Sequence, residues 1–187
     1  VLASLYNSDI PVIISERDSP QEILPKIRVH LRNLLYPTAA GLICQTLAFQ
    51  KFINRATNVR SSITIPNPVS RLIEPSERNG REIILAVGRL VEKKGFDHLL
   101  HAFAGMKNSK WRLEICGDGP LRQTLETLSD KLAIADKVTF AGLVSDLSPY
   151  FKRAGIFAFT SLFEGFPNSL AEAFVSGIPC ISYDCST

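Results

Sequence analysis

The chain has 187 residues, 45% of them hydrophobic, enough for a substantial core in one large domain or parts of two, and its composition excludes a disordered protein. A net charge of +3 and a pI near 8.7 are too mild for a nucleic-acid binder, and the basic residues are not interleaved with aromatics as a base-stacking platform requires. No apolar run reaches the ~18 residues of a membrane-spanning helix.

The opening Val1-Leu-Ala-Ser lacks an initiator Met and a basic n-region, so it does not resemble a signal peptide, and the expectation is a piece of a longer chain. Residues 11–15 read as a short buried strand. Residues 20–35 read as a helix with apolar positions at Leu24, Ile27, Leu31, Leu34 and Leu35. The same helix carries Lys26, Arg28, His30 and Arg32. Such a face could attract anionic lipid, but Pro25 and the modest length favour an ordinary solvated surface helix. A strand at 41–44, a helix at 47–56 and a strand at 62–65 follow. Pro66-Asn-Pro68 then breaks the pattern, and 70–81 reads as a polar linker. The domain boundary is accordingly placed between 1–69 and 70–187. Residues 1–75 hold eight Lys/Arg against five Asp/Glu, whereas 76–187 hold thirteen of each, so the positive excess lies wholly in the N-terminal part.

A cleaner alternation follows: strands at 83–87, 111–116, 138–140, 156–160 and 178–183, with helices at 96–106, 120–132, 147–153 and 169–176. Pro120 is expected at the first position of its helix. Strands and helices at this spacing imply right-handed βαβ units, hence an α/β, Rossmann-like parallel sheet with flanking helices. Ligands of such sheets bind beyond the carboxyl ends of the strands, so the loops that follow each strand carry the function.

Those loops hold the candidate site. Arg89 and Lys94 lie in one βα loop and can flank a diphosphate; the competing reading is a pair of solvated surface charges. Lys93 is equally basic, and only one of two adjacent lysines is expected to point inward. Gly117-Asp-Gly-Pro120 is not a dinucleotide fingerprint, because Pro120 follows the second Gly directly. It serves either as a tight turn near a nucleotide or as a purely structural turn. Glu164-Gly-Phe-Pro-Asn-Ser-Leu-Ala-Glu172 places two carboxylates eight residues apart across a Gly/Pro turn and a helix start. Unpaired N–H groups there suit a phosphate. Glu172 can accept from a vicinal diol such as a ribose, or close a capping box with Ser169. Glu164 sits near whatever the phosphate carries, or is a solvated loop charge. Asp97 reads as a helix cap. His98 and His101 stand at i, i+3 without a third ligand at matching spacing, so no metal is expected, and His30 reads as solvated. Cys44, Cys116, Cys180 and Cys185 show no Cys-x-x-Cys spacing and read as reduced thiols of a cytoplasmic protein.

Taken in order, Gly88-Arg-Leu-Val-Glu-Lys-Lys94-Gly-Phe-Asp97, Ile115-Cys-Gly-Asp-Gly-Pro120, Val138-Thr-Phe-Ala-Gly142, Glu164-Gly-Phe-Pro-Asn-Ser-Leu-Ala-Glu172 and Gly177-Ile-Pro-Cys-Ile-Ser-Tyr-Asp184 resemble the nucleotide-sugar-binding half of family 4 glycosyltransferases. The resemblance covers residues 81–187. Ser15-Glu-Arg17 and Ile65-Pro-Asn-Pro-Val69 resemble the end of that family's first, acceptor-side domain and the crossover. It implies a two-domain GT-B architecture and metal-independent transfer, with retention, from a nucleotide-diphosphate sugar, UDP before GDP, to a glycan or lipid-linked glycan acceptor. By that likeness Arg89 and Lys94 grip the diphosphate, Glu164 faces the donor sugar and Glu172 binds the ribose hydroxyls. Gly165, Phe166, Pro167, Asn168, Ser169 and Leu170 lie against phosphate and sugar, Gly117 lies by the nucleotide and Val144 near the base. No cofactor is implied. A cytoplasmic location is, and peripheral attachment to the inner face of a membrane stays open. Most of the first domain's motifs are absent, so the 187 residues alone are expected to bind nucleotide weakly and not to transfer sugar. A non-catalytic nucleotide-sugar-binding module and a sugar-nucleotide epimerase of the same fold are the alternatives.

Overall fold

A computed structural model describes residues 10–17, 19, 25–77, 81–106 and 108–185. The described chain divides into two compact units, one of residues 10–68 with 163–166, the other of 69–162 with 167–185.

The first unit is a three-stranded parallel sheet in the order β1 (Ile13–Glu16), β2 (Gly41–Cys44), β3 (Ser62–Thr64). Helix α1 (Lys26–Leu35) precedes β2 and helix α2 (Leu47–Ala56) precedes β3. Pro25, at φ −53° and ψ 140°, stands just before α1 in the extended conformation, so the helix begins after it; the expected first turn at 20–24 lies outside the described residues. Of the apolar positions expected on this helix, Leu24 lies outside the described residues, Leu35 is buried, and Ile27, Leu31 and Leu34 are exposed. Helix α2 is capped by Thr46, whose hydroxyl accepts from Phe49 N at 3.2 Å. Its Phe49 and Ile53 pack with Tyr36, Leu42 and Cys44 into a small core, and the Tyr36 hydroxyl donates to the Glu16 carboxylate.

The second unit has the expected Rossmann-like architecture. Its five parallel strands are β4 (Ile83–Val87), β5 (Arg112–Cys116), β6 (Val138–Gly142), β7 (Ile156–Phe159) and β8 (Cys180–Ser182), in the spatial order β6-β5-β4-β7-β8. Strand β4 is central and buried on both faces, which is why Ile-Ile-Leu-Ala-Val is a continuous apolar run. Alternation divides its side chains. Ile84 and Ala86 join one core with helix α3 (Phe96–Ala104) and helix α4 (Arg122–Lys131). Leu85 joins the other, with Phe157, Phe159, Phe151 of helix α5 (Ser148–Arg153) and Ala173 of helix α6 (Asn168–Val175).

Two expectations change here. Helix α4 starts at Arg122 with Leu121 as its cap, so Pro120 belongs to the turn before the helix and is not its first residue. The segment after Pro68 is no free linker. Ile73 is 3% exposed in the core, Leu72 N donates to Ser176 Oγ at 3.3 Å, and the Ser148 hydroxyl donates to Leu72 O at 3.3 Å. Ile73 and Leu72 pack on the core, and the two hydrogen bonds at Leu72 complete the anchoring.

Helix α5 is fastened to the sheet by Arg153. Its Nη2 lies 2.8 Å and its Nε 3.0 Å from Glu114 Oε2, and the guanidinium stacks 4.1 Å from the Tyr150 ring centroid. The side chains are 28% and 16% exposed, so removing one partner strands a largely desolvated charge. Glu114→Gln is therefore expected to lower unfolding free energy by about 1–3 kcal/mol, read as a lower denaturant midpoint at unchanged slope.

Candidate functional site

The strand order reverses at β4, whose neighbours are β5 on one side and β7 on the other. This is the switch point at which the loops beyond the carboxyl ends part and leave a crevice. The loops there touch backbone to backbone. A Cβ on Gly117 (φ +137°) would come within 1.9 Å of Gly88 O, and one on Gly119 within 2.5 Å of Leu90 O. Hydrogen bonds knit the same surfaces: Gly88 N donates to Cys116 O at 2.9 Å, Leu90 N to Asp118 O at 3.0 Å and Gly117 N to Gly142 O at 2.8 Å. The Gly-Asp-Gly loop thus owes its glycines to loop–loop packing, which both readings given for it require.

A cavity of about 520 Å³ opens beside this mesh, lined by Val87, Gly88, Arg89, Cys116, Gly117, Asp118, Leu143, Val144 and Leu147. Of the sequence-predicted residues it gathers Arg89, Gly117 and Val144. One wall is apolar, one carries the Arg89 cation, and burial pushes the Cys116 thiol up to about 12, with Glu114 adding to the rise and Arg153 opposing it, so that this side chain stays neutral. Leu143 and Leu147 carry no reading from the sequence, and Cys116 was read there as a thiol and not as a cavity wall. Leu143 and Leu147 resemble ordinary apolar residues near a helix start, and nothing local marks them as cavity walls.

Lys94 reaches the same place by another route. It ends a 3-10 turn (Glu92–Lys94), and Gly95 follows at φ +58°, where a Cβ would lie 2.4 Å from Thr160 O. The Thr160 hydroxyl donates to Lys94 O at 2.9 Å and Leu162 N donates to Lys93 O at 2.8 Å, pinning the β4 loop to the end of β7. The Lys94 side chain then runs over the Phe159 ring, Nζ 5.6 Å from its centroid, and Nζ lies 3.5 Å from where a Gly88 Cβ would stand. Of the two lysines, Lys94 is the one laid against the cavity's glycine wall.

Helix α6 begins at Asn168 after Pro167. The Ser169 hydroxyl donates to Val87 O at 3.4 Å, which holds the first turn of α6 at the end of β4. Ser169 lies inside the helix and is no cap, so the alternative capping box with Glu172 does not form. Leu170 packs against the core. Glu172 is half-buried, and burial holds its carboxyl above the ordinary range. Residues 163–166, with Glu164, Gly165 and Phe166, group with the first unit. Glu164 is 8% exposed, which removes the reading of a solvated loop charge.

Other candidates resolve into ordinary structure. Gly95, not Asp97, is the N-cap of α3. His98 stacks 6.0 Å from the Tyr183 ring, and among the described residues no group of three or more His, Cys, Asp or Glu could hold a metal ion. Cys44 and Cys116 are buried free thiols, and no described helix is long and apolar enough to cross a membrane.

An acid raised by burial binds its proton more tightly when folded, so its ionisation costs stability as pH rises through the folded pKa. Glu172→Gln should thus raise the thermal midpoint at neutrality, and the gain should vanish at about pH 4, below the ordinary glutamate pKa. Parallel thermal unfolding at the two pH values checks this; a less stable variant at neutrality would show a compensating partner for the carboxylate.

Comparison with known proteins agrees with this geometry. The family model described as glycosyl transferases group 1 matches residues 71–187. An uncharacterized glycosyltransferase of Methanocaldococcus jannaschii is 35% identical, over 94% of this chain and 48% of its own length. A lipopolysaccharide 1,6-galactosyltransferase of Salmonella typhimurium is 32% identical over 73% of this chain and 40% of its own. The chain therefore spans less than half the length of either relative. The crystal structure of S. aureus TarM (G117R mutant), in complex with Fondaparinux, alpha-GlcNAc-glycerol and UDP, shares the fold at a TM-score of 0.84 and 18% identity, covering 95% of this chain and 37% of that one. The matched span takes in both cations of the cavity rim, the glycine mesh and the acidic pair, and the chain belongs to the group 1 glycosyl transferases.

Proposed function

We propose that this chain is the donor-binding part of a retaining glycosyltransferase. It moves a sugar from a nucleotide-diphosphate sugar, UDP before GDP, to a glycan or lipid-linked glycan acceptor in polysaccharide or glycoconjugate synthesis. The observation that carries the proposal is Arg89 lining an otherwise largely apolar cavity beyond the switch point of a parallel sheet, with Lys94 Nζ laid beside Gly88 of the same lining. That arrangement suits a ligand with an apolar-faced base at one end and two phosphates at the other. The UDP in the TarM complex supports the choice of base.

In this reading the two cations hold the diphosphate and stabilise the charge that builds on it as the glycosidic bond breaks, with no metal required. The first-turn amides of α6 add partial positive charge where Pro167, Asn168, Ser169 and Leu170 meet phosphate and sugar. Glu172 accepts from the ribose hydroxyls. A half-buried carboxylate suits such neutral donors. Val144 and its apolar neighbours face the base. Glu164, with Gly165 and Phe166, attends the donor sugar. A cytoplasmic setting, with peripheral attachment where the acceptor is lipid-linked, completes the proposal.

The test uses the full-length protein. Arg89→Ala should weaken UDP roughly tenfold or more, the loss of one charge-assisted hydrogen bond, while leaving uridine unchanged by calorimetry. Glu164→Gln should lower kcat roughly 10²-fold or more with UDP affinity intact. Unchanged turnover in Glu164→Gln would make that residue a bystander, whereas UDP binding by the full-length protein with no transfer at all would turn the reading toward a non-catalytic nucleotide-sugar-binding module.

A further inference from the structure

The cavity has two ends, one carrying the Arg89 cation and one apolar. Leu143, Val144 and Leu147 form a wall supplied by the loop between β6 and α5. That loop starts at Gly142 (φ +73°); Leu143 is 85% exposed, while Val144 and Leu147 pack partly buried against the core. Its start is held from two directions. One is the backbone bond from Gly117 N to Gly142 O at 2.8 Å. The other is a single guanidinium from α4.

Arg122 Nη2 donates to Phe140 O at 3.2 Å, and Nε donates to Glu126 Oε1 at 2.9 Å. Its Nη1 lies 3.7 Å from Asp118 Oδ2, and a Cβ on Gly142 would come within 3.2 Å of that same nitrogen. Asp118 lines the cavity, and its Oδ1 accepts from Gly119 N at 2.7 Å. One planar cation therefore touches the end of β6, the glycine that begins the apolar wall, and the carboxylate on the neighbouring wall, without lining the cavity itself. A lysine presents a point charge and cannot span these acceptors in the plane an arginine fork does.

We infer that Arg122 is a positioning residue for the nucleoside end of the cavity, setting the apolar wall to which the base binds, as Arg89 and Lys94 serve the phosphate end. The inference rests on the donor-site reading above and extends it. It separates two kinds of arginine by the part of one ligand each serves.

The experiment compares uridine and UDP binding to the full-length protein and its Arg122→Gln, Arg122→Lys, Glu126→Gln and Arg89→Ala variants. Hydrogen exchange of amides 141–147 is followed without ligand. Arg122→Gln should weaken uridine and UDP by the same factor, on the order of fivefold to tenfold, and speed exchange across 141–147. Arg122→Lys should recover only part of the loss, and Glu126→Gln, which frees one arm of the fork away from the cavity, should lose less than either. If Arg122→Gln fails to fold, Arg122→Lys carries the same comparison. Unchanged uridine affinity in the Arg122 variants, or a loss confined to UDP, overturns the inference while leaving the donor site intact. If Arg89→Ala does not separate UDP from uridine, the donor-site reading itself falls, and unchanged exchange at 141–147 would independently reject the positioning role.

Discussion

The approach of Gly88 to Gly117 is the constraint on which the second unit's architecture turns. A methyl group on Gly117 would stand 1.9 Å from a carbonyl oxygen, so the two backbones lie closer than any side chain permits. Because they do, the loops after β4 and β5 behave as one surface, stitched by Gly88 N to Cys116 O and Leu90 N to Asp118 O. Arg89 and Asp118 are thereby fixed on adjoining walls of one cavity. Gly142 extends the same contact to the end of β6. A cation on an unsupported loop would have to surrender rotamer and backbone freedom on meeting any ligand; here the backbone is already fixed in folding.

Lys94 shows the same economy with different means. Its backbone is clamped between Gly95, pressed on Thr160 O, and the Thr160 hydroxyl, while its stem lies on Phe159. The charge is delivered to Gly88 along an apolar path, which keeps the long side chain from wandering. Arginine is used in three ways across the unit. Arg153 closes an internal ion pair that fastens a helix, Arg122 bridges loop and helix beside the cavity, and Arg89 alone lines it. Each depends on the planar fork or its permanent charge.

Against this, Glu172 is a cost. Its carboxyl is raised by burial, so the folded protein carries the ionised form at some expense to stability. A polar group kept half-buried on a helix whose first turn is tied to the sheet by Ser169 is the local inconsistency expected where a ligand completes the structure.

Much of the fold was legible in the residues because it rests on local periodicity. The continuous apolar run of β4, the alternation of strands and helices from 83 to 183, and the parallel sheet they imply follow from spacing that any short window displays. The loops that carry Arg89, Lys94 and Gly117 could be picked out because strand ends are where such sheets bind ligands. Other features were decided only by contacts between distant segments. Ser169, in a sequence that reads as a capping box, spends its hydroxyl on Val87, 82 residues away. Ile73 turns a polar stretch into part of the core, and Leu143 and Leu147 become cavity walls. The apolar stripe of α1, by contrast, follows helical spacing and yet Ile27, Leu31 and Leu34 lie exposed. Periodicity states which side chains share a face; what that face meets is a property of the folded neighbours, and no local pattern contains it.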